Sequence, residues 1–112
     1  MQIKGVEFNI NIMNAGFADK YEKALTEFDE KVKSIQAVSL SQSIREQIAC
    51  VKWFLDTVFG PEVYPVLQLD QEDLDEHLDI VEAIVDETQL QRDRALHRFD
   101  KYSPNRSQRH SR

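Results

Sequence analysis

Nine acids crowd into residues 70–87: Asp70, Glu72, Asp73, Asp75, Glu76, Asp79, Glu82, Asp86 and Glu87, with no base among them. Carboxylates at this density could hold a divalent cation. A calcium loop needs ligands at alternate positions and a glycine at the sixth. Counted from Asp70, the fifth residue is Leu74 and the sixth is Asp75, so the pattern fails. A helical di-metal centre uses Glu-x-x-His, but the residue three before His77 is Leu74. Asp73 and His77, one helical turn apart, could share a weakly held ion. The simpler interpretation is a solvated helix face, so no metal and no cofactor is expected. The same face could receive a basic partner or the basic end of a second copy.

Nucleophilic catalysis needs a nucleophile beside a base. Cys50 is the single cysteine, and the histidines are His77, His97 and His110. Cys50 sits near Trp53 and Phe54 in an apolar stretch, where a small buried hydrophobe is the ordinary role. Gly5, Gly16 and Gly60 are too far apart to cradle a phosphate. No catalytic residue is assigned, and the chain is not expected to be an enzyme. A lone thiol also excludes an internal disulfide, so a stapled secreted scaffold does not apply.

These groups ride on elements that the patterning outlines. Val6, Phe8, Ile10 and Ile12 alternate with Glu7, Asn9 and Asn11. Alternation of period two marks a half-buried strand. Gly5 interrupts it, so residues 2–12 form either a kinked strand or a tight hairpin. Asn14 is a plausible cap for a first helix, whose stripe is Phe17, Tyr21, Ala24, Leu25, Phe28, Val32 and Ile35. A second helix starts at the capping box Ser43-x-x-Glu46 and stops at Gly60-Pro61. Its inward stripe is Ile44, Ile48, Val51, Leu55, Val58 and Phe59, with Phe54 beside it. Trp53 falls opposite. Either this helix is buried on two sides, with the N-terminal strand as one cover, or Trp53 is an exposed anchor of the kind common at interfaces. Intramolecular packing is favoured.

Residues 61–69 read as a short turn or a single helical turn. A third long helix starts near Asp70, capped by Asp70 or Asp73, with acids at the positive end of its dipole. Leu74, Leu78, Val81 and Val85 form its stripe, widened by Ile80 and Ile84. The stripe is expected to fail at Thr88 and Arg92, and Leu96 and Phe99 resume it. Residues 1–88 are therefore expected to be a helical domain with an N-terminal strand element. Residues 89–112 are expected to be a loosely packed helical extension and basic tail. The fold class is mainly α: a small three-helix domain with a short N-terminal strand or hairpin and a flexible C-terminal tail.

Charge reverses along the chain. Residues 1–100 carry 10 basic and 20 acidic side chains, whereas residues 101–112 carry Lys101, Arg106, Arg109 and Arg112 and no acid. The acidic body repels phosphates and argues against nucleic acid as a general partner. No apolar run approaches 18 residues, and no basic-then-apolar leader is visible. The expectation is a soluble protein with no membrane partner. Candidate partner contacts are Trp53, Leu90, Leu96, Phe99 and Tyr102, apolar groups that the stripes do not clearly bury, with Arg106 and Arg109 in the basic end.

The order of parts resembles a known family. An IKGVEFNI start precedes the first amphipathic helix, the second helix ends at FG, an acidic helix follows, and the chain closes with KYSPNRSQR. This arrangement is similar to the small tail assembly chaperones of long-tailed phages and of prophages in Gram-positive bacteria. The resemblance implies a non-catalytic protein of the bacterial host's cytoplasm. It would bind the long helical tape-measure protein before the tail tube polymerises around it, and leave as tail-tube protein arrives. It also implies self-association and, in many members, a longer frameshifted form. No site residue is transferred from the family. The alternative from another class is a small regulatory protein that binds nucleic acid through its basic C-terminal tail.

Overall fold

The computed structural model describes residues 1–102. Two short strands, β1 (Gln2–Ile3) and β2 (Val6–Glu7), open the chain. Three long helices follow, α1 (Ala15–Lys33), α2 (Leu40–Phe59) and α4 (Leu74–Lys101), with the five-residue α3 (Val63–Leu67) between the last two. The mainly α class with an N-terminal hairpin is as expected. The expected flexible tail, with Arg106 and Arg109, lies outside the described residues.

The hairpin resolves the choice posed by Gly5. Lys4 and Gly5 both take positive φ, 51° and 77°, which closes a two-residue turn with Ile3 opposite Val6 and Gln2 opposite Glu7. The strand stops at Glu7, so the kinked-strand alternative through residue 12 does not hold. Alternation survives without pairing. Phe8 and Ile12 are buried, while Asn9 and Asn11 face solvent.

Asn14 caps α1 as expected, its side chain accepting from Phe17 N–H at 3.0 Å. The expected start of α2 is corrected. Ser39, not Ser43, is the cap, and its Oγ accepts from Gln42 N–H at 3.2 Å. Ser39-x-x-Gln42 fits the same box one turn earlier, and Ser43 lies inside the helix. Gly60 ends α2 at φ 92°, where a Cβ would meet a Glu62 carboxylate oxygen at 2.6 Å. Asp73 caps α4 by accepting from Asp75 and Glu76 N–H.

The core gathers Phe8 and Ile12 from the N-terminal segment, Tyr21 and Ala24 from α1, and Val51, Phe54, Leu55 and Val58 from α2. Tyr64 and Leu67 from α3 and Ile80, Val81 and Ile84 from α4 close it. Rings meet edge-on across elements: Phe8 on Phe59 at 5.0 Å and Tyr21 on Phe54 at 6.2 Å. The molecule is elongated, 58 × 29 × 23 Å. A 28-residue helix is about 42 Å long, so α4 is longer than the bundle is thick.

Candidate partner-binding surface

Helix α4 is one unbroken helix with two different halves. Its inward seam is the expected stripe centred on its widening residues Ile80 and Ile84, with His77 and Thr88 added. The buried residues are His77, Ile80, Val81, Ile84 and Thr88, while Leu74, Leu78 and Val85 are half-buried beside them. The expected failure of the stripe at Thr88 is therefore overturned. Thr88 is buried because its hydroxyl has partners. Oγ1 lies 3.2 Å from the Tyr21 hydroxyl and donates to the Val85 carbonyl at 2.8 Å. Buried polar groups persist only when so paired.

His77 corrects the solvated-face interpretation at one position. It is fully buried, with Nδ1 2.7 Å from the Asp73 carbonyl and Nε2 2.7 Å from the Tyr64 hydroxyl. A carbonyl can only accept, so Nδ1 carries the proton toward Asp73. The imidazole thus ties α3 to the first turn of α4. The acids around it do face water. Among the described residues, no group of three His, Cys, Asp or Glu is placed to hold a metal ion. Asp73, the partner considered for His77, meets it through its backbone carbonyl.

One turn beyond Thr88, Gln91 fixes the N-terminal segment to α4. Its Oε1 accepts from Ile12 N–H at 3.0 Å, and its Nε2 donates to the Ile10 carbonyl at 2.8 Å and to Glu87 at 2.8 Å. This side chain satisfies two backbone groups that the short hairpin leaves unpaired. Sequence patterning missed it because a glutamine on a helix normally signals solvent.

Past Gln91 the bundle ends and the helix continues. At 100° per residue, Ala95, Phe99 and Tyr102 prolong the seam of Ile84 and Thr88, with Leu96 beside them. Leu96 is 58% exposed, Phe99 68% and Tyr102 82%. Arg94, Arg98 and Lys101 run down one flank. A groove of about 400 Å³ lies between this flank and the N-terminal segment, with Ile10, Met13 and Ala95 as apolar walls and Asn11, Arg94 and Arg98 as polar ones. Among the described residues neither arginine has a salt-bridging carboxylate.

The other expected contacts do not join this surface. Leu90, 45% exposed, lies opposite the apolar seam, one turn before Arg94 on the basic flank. Trp53 is half-buried against the core, with the Lys31 ammonium of α1 4.8 Å from its ring centre. It is packed within the chain and is no free anchor. Cys50 is half-buried, and burial pushes its thiol upward, with Lys31 opposing that shift. A raised thiol is a poor nucleophile at neutral pH. Among the described residues, no helix is long and apolar enough to cross a membrane.

No curated protein and no solved structure matches this chain. A family model matches residues 4–112, nearly the whole sequence, from the hairpin turn through the extension of α4 and on to the C-terminal residue. The chain belongs to DUF6673, a family of unknown function.

Proposed function

We propose that this protein is a tail assembly chaperone of a long-tailed phage or prophage, acting without catalysis. It would hold the helical tape-measure protein in the host cytoplasm until tail-tube protein polymerises around it. One observation carries the proposal: the inward seam of α4 continues past the bundle through half-buried Ala95 to Phe99 and Tyr102, both exposed, with exposed Leu96 beside them. A helical client that aggregates alone needs such a face to cover its own apolar stripe. The acidic body would then keep the complex soluble by charge. The order of parts, from IKGVEFNI to KYSPNRSQR, supports the same role.

The test is co-expression with the long helical protein encoded downstream. The expected result is that the client becomes soluble and co-purifies, and that Phe99→Asp returns it to the pellet. Gene neighbours lacking both a tube protein and a very long helical protein would overturn the proposal. So would a client equally soluble without this chain.

A further inference from the structure

The extension of α4 has chemistry as well as an apolar face, and that chemistry selects a partner. On the seam Phe99 and Tyr102 are exposed, and half-buried Ala95 lines the groove opposite Met13, which is 56% exposed. Arg94 and Arg98 are one turn apart, so their guanidinium groups flank the same side. Guanidinium forks bind carboxylates two bonds at a time, and the pair meets no carboxylate among the described residues. Asp93, which accepts from Gln89 at 3.2 Å, lies on the other side of the helix.

We propose that residues 91–102 and the groove beside them dock a partner helix that has an apolar seam and carboxylates along one flank. Its leucine-like side chains would cover Ala95, Phe99 and Tyr102, and its acids would reach Arg94 and Arg98. Two other occupants fit less well. A second copy packed face to face on this surface would bring the same Arg94, Arg98 and Lys101 against themselves. Residues 103–112 hold three more arginines and no large apolar residue, so they complement neither the charge nor the seam. Elsewhere the exposed apolar side chains are scattered, Val38 and Leu40 on either side of the Ser39 cap and Val66 in α3. The proposal stands on this surface alone. Its failure would leave the chaperone role to the co-expression test, and failure of that role would leave the surface intact.

The experiment uses the full chain and two labelled 21-residue helical peptides. Both carry leucine at the seam positions and alanine elsewhere, with glutamate on the flanks in one and lysine in the other. Fluorescence anisotropy should give micromolar binding of the glutamate peptide and binding at least about ten-fold weaker for the lysine peptide. Arg94→Glu with Arg98→Glu should invert that preference, and Phe99→Asp should weaken both. Replacing Arg106, Arg109 and Arg112 by glutamine should leave the preference in place. Unchanged circular dichroism and melting confirm that each variant is folded.

Several results would overturn the proposal. Equal affinity for the two peptides, or no binding of either at about 1 mM, would do so. So would a preference that disappears with the three tail arginines. Self-association of the free chain that Phe99→Asp abolishes would assign the face to a second copy instead. A single-stranded oligonucleotide that binds more tightly than the glutamate peptide, and depends on Arg94 and Arg98, would assign it to nucleic acid.

Discussion

The two halves of α4 share one helix and one seam, yet one half is covered and the other is not. Residues 77–88 press His77, Ile80, Val81, Ile84 and Thr88 into the bundle. Residues 95–102 continue the same line through half-buried Ala95 to Phe99 and Tyr102, whose surface is mostly in water, with exposed Leu96 beside it. The difference lies in what stands opposite. Tyr21, Tyr64 and the α2 core meet the first half, whereas among the described residues the second has the Ile10–Met13 segment on one side. Covered polar residues and uncovered apolar ones therefore sit on the same seam. Side-chain type alone does not decide burial here; the supply of partners does.

The sharpest way to break this comparison is to truncate one large side chain in each half. Ile84→Ala should cost about 3 kcal/mol, because it leaves a cavity in a fully buried site. Phe99→Ala should stay within about 0.5 kcal/mol, as expected of an exposed position. Urea denaturation of the two variants measures both. Similar losses would mean that Phe99 is covered in solution, and the contrast would fall.

Polar seam residues sharpen it further. Thr88→Val keeps the shape but strands the buried Tyr21 hydroxyl, at a cost of about 1–2 kcal/mol. The double change Thr88→Val with Tyr21→Phe should recover part of that loss, which a double-mutant cycle would read directly. Gln91→Ala should cost about 1 kcal/mol by releasing Ile12 N–H and the Ile10 carbonyl. Amide exchange at Ile12 should speed up more than exchange in α1. Uniform acceleration across the bundle would mean that Gln91 is no local clamp.

The smallest effect belongs to the exposed ion pairs at the covered end. A hydrogen bond from Arg45 holds the Glu72 carboxyl below its usual 4.5, and one from Lys4 does the same for Glu76. A lowered folded-state pKa means that the stabilisation is complete above 4.5 and fades as pH falls through the lower folded value. Melting temperature should therefore drop slightly on acidification below about 4.5. Arg45→Ala with Lys4→Ala should flatten that drop, and an unchanged acid slope would remove these pairs from the account.

Much of this architecture was legible from local signals. Asn14, Gly60 and Asp73 mark helix ends through their own chemistry, and each does so here. The start of α2 lies one turn before the expected Ser43, because Ser39 also heads a capping box and its Oγ takes the Gln42 N–H. The seam of α4 was misread for a deeper reason. His77, Thr88 and Gln91 occupy it by virtue of partners 13, 67 and about 80 residues away in sequence. Hydrophobic periodicity carries no record of such partners. Leu96, Phe99 and Tyr102 were singled out correctly as residues the bundle leaves exposed, for the plain reason that no apolar stripe remained to receive them. Trp53 lies opposite the stripe of its own helix, yet the neighbouring α1 supplies Lys31 to its ring, a cover that the periodicity of α2 does not carry.

The grip of Gln91 on Ile10 and Ile12 has a mechanical consequence. The helix beyond it is a cantilever roughly 15 Å long at 1.5 Å per residue, clamped at one end. Whatever pulls on Phe99 applies torque at the clamp, and the first bonds to feel it are those to Ile12 N–H and the Ile10 carbonyl. The segment carrying them leads directly into the hairpin, whose Lys4 reaches back to Glu76 at the other end of α4. Load at the tip is thereby returned to the root of the same helix through a strap formed by the first twelve residues.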